Sequence, residues 1–154
     1  MASCEDLIFE VADSRDYRKV ANDVIKAVEN EPNYGKMVPE SVAEQWRTFE
    51  AVGMGEVFVA KLGDRYVGSL FGLCSRDPLT AEIYGIAYAW LVGREYRAGG
   101  TARKLREMFE EWAVENGAVA LKVGVHNSPW ADKQIEARKR DGYVLEAYSF
   151  TKKV

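Results

Sequence analysis

The stretch Leu91-Val92-Gly93-Arg94-Glu95-Tyr96-Arg97-Ala98-Gly99-Gly100-Thr101-Ala102 runs from an apolar segment through a short loop into the start of an amphipathic helix. The first turn of a helix carries N–H groups without intrahelical partners at the positive end of its dipole, and glycines let an anion approach the main chain closely. Arg94, Arg97, Arg103, Lys104 and Arg106 gather positive charge around the same turn. A phosphate-bearing ligand is the expectation, with a solvated helix face as the alternative for Arg103, Lys104 and Arg106. Neither GxxxxGK followed by Ser or Thr nor GxGxxG occurs, so the two commonest nucleotide-binding loops are excluded. His126 is the single histidine, and Cys4 and Cys74 lie far apart with no partner at ligand spacing. No metal site, redox pair or Ser-His-Asp arrangement is indicated.

Positioning that loop requires a strand before it and a helix after it, and the rest of the chain supplies a sheet for both. Leu7 to Ala12 reads as a strand, and Asp13 or Ser14 caps a helix whose Tyr17, Val20, Val24 and Val28 recur at helical spacing. After a break at residues 31–35, Pro39-Glu40-Ser41 opens a second helix with Val42, Trp46 and Phe49 on one face. Glu56–Leu62 and Tyr66–Cys74 flank Gly63-Asp64-Arg65 as a hairpin, and Ala81–Val92 reads as a central strand covered on both faces. Ala102, Leu105, Phe109, Trp112 and Ala113 form the apolar stripe of a helix that stops at Asn116-Gly117. Val119–Val125 is a further buried-type strand, Trp130–Arg140 a helix begun by Ser128-Pro129 and ended by Gly142, and Tyr143–Thr151 a closing strand. The expected order is β-α-α-β-β-β-α-β-α-β, an α/β fold with a mixed sheet.

With 154 residues, 47% hydrophobic, 12% aromatic and 29% charged, the chain has the balance of one ordinary domain spanning residues 1–154, with no repeat or linker. The net charge of -3 argues against holding nucleic acid or an anionic membrane by bulk charge. The start of the sequence lacks a basic region followed by an apolar stretch, and no run approaches the roughly 20 residues that span a bilayer, so a cytoplasmic location is expected.

Arg97-Ala98-Gly99-Gly100-Thr101-Ala102 fits Arg/Gln-x-x-Gly-x-Gly/Ala, and with Gly142-Tyr143 before the last strand and the order of elements, the whole chain resembles the GNAT superfamily of acyl-CoA-dependent N-acyltransferases. The resemblance implies acetyl-CoA as cofactor, with its pyrophosphate on the main-chain amides of Arg97, Ala98, Gly99, Gly100, Thr101 and Ala102. It implies that main-chain groups of Leu91 and Val92 meet the pantetheine arm, that Val92 N–H faces the thioester oxygen, and that Asn127 follows as a family asparagine. Holding thioester and amine side by side supplies most of the rate, which leaves the removal of one proton from the ammonium. Glu82, at the start of the central strand, or a water held near it, is the candidate base. Tyr84 and Tyr88 share its parity and could line the acceptor pocket or relay the proton. Tyr34, Trp46, Tyr84, Tyr88 and Trp90 are the aromatic candidates for that pocket.

Two positions depart from the family pattern. Arg138 stands where many members have the tyrosine that protonates the thiolate, and Gly93 stands where many have proline. These departures motivate the second reading, a catalytically inactive binding or structural module on the same fold. The leading one is an N-acetyltransferase acting on a primary amine of a small molecule or protein, with pairing of last strands as a route to a homodimer.

Overall fold

The computed structural model describes residues 6–31, 36–126 and 128–154. Cys4, Tyr34 and Asn127 therefore lie outside the described residues. The chain divides into two compact units, residues 1–124 and 125–154.

Among the described residues the first unit is a five-stranded sheet in the order β1-β2-β3-β4-β5, with three α-helices and two short 3-10 turns. Its strands are β1 (Ile8–Val11), β2 (Gly55–Leu62), β3 (Arg65–Arg76), β4 (Ile83–Val92) and β5 (Ala120–Val123). The first four pair antiparallel, and β5 runs parallel to β4 after the crossover through a helix, so the sheet is mixed as expected. Helices α1 (Tyr17–Val28) and α2 (Pro39–Ala51) pack on one face, and α3 (Thr101–Glu115) packs on the other.

The sequence pattern decides which side chains go to which face. Tyr17, Val20, Ala21, Val24 and Val28 of α1, with Ala43 and Trp46 of α2, bury against Val57, Val59, Phe71 and Leu91. On the opposite face Leu105, Phe109 and Ala113, spaced one helical turn apart, meet Phe58, Ala60, Leu70 and Val92. Two glycines let α3 approach. A Cβ at Gly85 would lie 2.6 Å from the Ala113 Cβ, and one at Gly72 would lie 2.7 Å from Cδ2 of Phe109. Gly85→Ala is expected to destabilise the protein by about 1–3 kcal/mol through overpacking, read as a lower denaturation midpoint with an unchanged m-value.

Three expectations are corrected. The strand covered on both faces is β3, the middle strand of the five, whereas β4 is only partly covered and Tyr88 is 71% exposed. An apolar run reports burial, but position in the sheet decides how many layers lie above it. β5 likewise alternates between exposed and half-buried residues.

Finally, Tyr143–Thr151 forms no strand. Its apolar residues fall on both parities, with Leu145 on one and Val144, Tyr148 and Phe150 on the other, so period two separates no apolar face from a polar one. A strand also exists only through ladder hydrogen bonds to a partner, which no residue pattern supplies locally. In the structure Val144, Tyr148 and Phe150 are exposed. The second unit carries α4 (Ala131–Arg140), which ends where Gly142 takes a φ of 92° and the N–H of Tyr143 donates to the Arg138 carbonyl at 3.0 Å.

Candidate active site

The site is built on the second half of β4. Phe71 pairs with Ala89 and Gly72 with Ala87, so Tyr88 is an extra residue, a β-bulge. On the other edge, β5 ends at Val123 opposite Ala87. Residues 88–92 thus run past the end of β5, and among the described residues no strand pairs with them on that side.

The direction of the main-chain groups along this edge follows from one hydrogen bond. Gly93 N–H donates to the Val67 carbonyl at 2.9 Å, which makes Gly93–Val67 a hydrogen-bonded pair. Antiparallel pairs alternate, so Val92 opposite Gly68 is a non-bonded pair whose N–H and C=O point away from β3, toward the open edge. The Val92 carbonyl is in fact met there, by Nε of Arg97 at 3.0 Å. Its N–H points the same way, as an oxyanion donor would.

Beyond Val92 the chain passes through a short 3-10 turn, Arg94–Tyr96, and reaches α3 through Gly99 and Gly100, whose φ values are 100° and 89°. Both lie in the left-handed region that glycine enters without steric cost. Gly100 is the N-cap residue and makes no side-chain cap. A Cβ at Gly100 would meet nothing closer than Nη2 of Arg103, at 3.9 Å. The space above this helix start is therefore open, and the first amides of a 15-residue helix face it with the positive end of the dipole. A pyrophosphate fits such a cradle.

The cations around it are not equivalent. Arg106 is buried and pairs with Glu110 at 2.8 Å, and Arg103 lies 3.6 Å from Glu107. Lys104 Nζ sits over the Phe9 ring at 5.6 Å. Arg97 is committed to protein partners: its Nη2 lies 2.9 Å from Oε1 of Glu31, and its Nη1 donates to Oε2 at 3.2 Å. Glu31 has no signal in the sequence that links it to a residue 66 positions away.

Leu91, Val92, Arg97, Ala98, Gly99, Gly100, Thr101 and Ala102 are brought together by this strand, loop and helix. Glu82 is not. It is exposed in the turn before β4, accepts a 3.2 Å hydrogen bond from Tyr84 Oη, and lies six residues, or roughly 20 Å at the rise of a strand, from the bulge at Tyr88. The turn holding it is tightly made: Asp77 Oδ1 accepts from Leu79 and Thr80 N–H at 2.8 and 3.0 Å, and Asp77 N–H donates to the Glu82 carbonyl at 2.8 Å.

Those backbone donors hold the Asp77 carboxyl below its ordinary value. Its folded pKa is lowered, so its contribution is complete above the unfolded pKa of about 4 and is lost as pH falls through the folded value. The thermal midpoint of Asp77→Asn is therefore expected to lie below wild type at neutral pH and to converge with it in acid.

The described aromatic candidates do not gather in one place. Tyr88 and Tyr84 lie on the α1/α2 face of β4, and the Tyr88 ring meets Phe71 edge-on at 6.5 Å between centroids. Trp46 is core, 2% exposed and packed between Tyr17 and Phe71. Trp90 follows the bulge and packs on the α3 side.

Burial pushes the Cys74 thiol up, which marks a packed rather than a nucleophilic cysteine. In the second unit Arg138 pairs with Asp141 at 3.2 Å, and His126 is exposed. Among the described residues no group of three His, Cys, Asp or Glu side chains could hold a metal ion, and no helix is long and apolar enough to cross a membrane.

A mixed sheet whose bulged, open-edged strand feeds a glycine-started helix is a fold that presents main-chain amides to an anionic ligand. Residues 22–130 match the model of the acetyltransferase (GNAT) family, and the chain belongs to that family. No curated protein matches it in sequence. Among solved structures it is similar to an aminoglycoside acetyltransferase from an uncultured soil metagenomic sample, at 18% identity over 97% of each chain with a TM-score of 0.73. It is also similar to glucosamine-6-phosphate N-acetyltransferase from Arabidopsis thaliana, at 12% identity, 96% and 97% coverage and a TM-score of 0.73. A third is the ribosomal-protein-alanine N-acetyltransferase from Brucella melitensis biovar Abortus 2308, at 16% identity over 96% of each chain with a TM-score of 0.67. At these identities the likeness is one of fold.

Proposed function

We propose that the chain transfers an acetyl group from acetyl-CoA to a primary amine of a small molecule or protein by direct attack in a ternary complex. The observation that carries this reading is the continuity of the open edge at residues 88–92 with the glycine cradle at the start of α3. Acetyl-CoA supplies the acetyl group activated as a thioester. The amides from Arg97 to Ala102 would hold its pyrophosphate, with Arg103 beside Gly100 as a neighbouring cation. Main-chain groups of Leu91 and Val92 would align the pantetheine arm, and Val92 N–H would polarise the thioester carbonyl.

The amine nitrogen attacks the carbonyl carbon, the C–S bond breaks and the thiolate leaves. Because Glu82 lies at the far end of β4, we assign the loss of the ammonium proton to water at the open edge. Tyr88 is the hydroxyl-bearing side chain at the bulge, where it presents an aromatic face to the acceptor. Titration calorimetry with acetyl-CoA, followed by a thiol-release assay over amino sugars, diamines and peptides with free N-termini, tests this reading. Saturable binding and amine-dependent thiol release are expected; no heat and no melting shift with any acyl-CoA would overturn it.

A further inference from the structure

Arg97 opens the glycine motif, yet its guanidinium faces protein acceptors on two sides. Nε donates to the Val92 carbonyl at 3.0 Å, while Nη1 and Nη2 engage the two Glu31 oxygens at 3.2 and 2.9 Å. This is a bidentate fork with a third bond from the same guanidinium, an arrangement that holds arginine strongly. Glu31 sits just past α1, where its N–H donates to the Val28 carbonyl at 3.0 Å. A carboxylate at the negative end of a helix dipole is unfavourable by itself, so its placement there is accounted for by the guanidinium opposite. The Glu31 side chain is 21% exposed and that of Arg97 is 41% exposed, so the pair is partly shielded from solvent.

We propose that Glu31 and Arg97 are positioning residues: Glu31 locks Arg97, and Arg97 pins the Val92 carbonyl, so the end of α1 sets the orientation of the peptide groups at the open end of β4. This rests on the assignment of Val92 N–H to the thioester. Arg97 in this arrangement serves the reacting centre through Val92 and does not neutralise cofactor phosphate with its side chain. The two roles predict opposite results when Glu31 is neutralised. If Arg97 were a phosphate ligand restrained by Glu31, Glu31→Gln would free it, lower the KM for acetyl-CoA and leave kcat unchanged. If Arg97 is a latch, the loosened strand end lowers kcat and leaves the phosphate cradle alone.

The test compares wild type, Glu31→Gln and Arg97→Gln with two acetyl donors, acetyl-CoA and S-acetylpantetheine, which carries the thioester without the nucleotide. Both variants are expected to lose about tenfold in kcat, a fraction of the roughly hundredfold that a 1 Å misplacement can cost, and by the same factor with both donors. A loss seen only with acetyl-CoA, or a lower KM without a kcat change in Glu31→Gln, would overturn the proposal. Amide hydrogen exchange on the free protein supplies the second readout. In Glu31→Gln the Tyr96 and Arg97 amides are expected to exchange faster while those of Leu105 and Phe109 stay protected; unchanged exchange at Tyr96 and Arg97 also overturns it. Should wild type bind no acyl-CoA while this exchange difference appears, the acetyltransferase reading fails and the contact between α1 and the loop stands.

Discussion

Gly100→Glu is expected to weaken acetyl-CoA binding by more than about a hundredfold while leaving the fold intact. The new side chain would start from a left-handed residue, φ 89°, and extend into open space whose nearest atom is Nη2 of Arg103 at 3.9 Å. A carboxylate there faces the position assigned to the pyrophosphate. Two like charges about 5 Å apart repel by about 3 kcal/mol at an effective dielectric of 20, which is more than two decades in Kd. It would also draw Arg103 away from the ligand. Stability changes less, because the left-handed backbone costs about 1–2 kcal/mol and a negative charge at a helix N-terminus returns about 0.3–1 kcal/mol. Gly100→Ala separates the two effects, since it carries the backbone cost without the charge. Calorimetry and thermal melting on both variants decide the matter, and an affinity for acetyl-CoA unchanged in Gly100→Glu would show that the ligand does not sit on this helix start.

Val92→Pro is expected to lower kcat by about 10²–10³-fold, the range lost when one oxyanion donor is removed. Proline is usable as a probe here because of the pairing. Val92 N–H points away from β3, so replacing it deletes no ladder hydrogen bond, and proline is tolerated at strand edges where the N–H faces outward. The Val92 side chain is buried on the α3 side, and losing part of it costs about 1 kcal/mol, well short of unfolding. Coenzyme A binding, read by calorimetry, is expected to stay within a few-fold, because the phosphate cradle begins five residues later. If kcat instead stays within a factor of about three of wild type, Val92 N–H is not the donor.

Much of the fold was legible because it depends on periodicity and on local chemistry. Tyr17, Val20, Val24 and Val28 mark one face of α1, and Leu105, Phe109 and Ala113 mark one face of α3, whichever sheet they meet. Gly63-Asp64 turns the β2–β3 hairpin, and Gly142 ends α4. The glycine-bearing helix start at Gly99 and Gly100 could be read because it is a local feature. The distance of Glu82 from the bulge could not be read, since its place near a strand start fixes neither the strand's pairing nor where that pairing slips. The Tyr88 bulge was equally hidden, because it exists only as a mismatch between two strands.

Residue types and spacing by themselves determined the order of the elements up to α4 and the glycine-started helix after β4, which follow from interactions within a turn or two of chain, and the motif from Arg97 to Ala102 carried the resemblance to the family. The tertiary structure alone decided that β5 stops at Val123 and leaves residues 88–92 of β4 open. It also decided that Val92 points its N–H outward and that Tyr143–Thr151 forms no strand. Only the folded chain brings Glu31 to Arg97. Each of these depends on which segments meet across long stretches of sequence, and pairing across such distances is set by the register and packing of the whole sheet rather than by the pattern of any one segment.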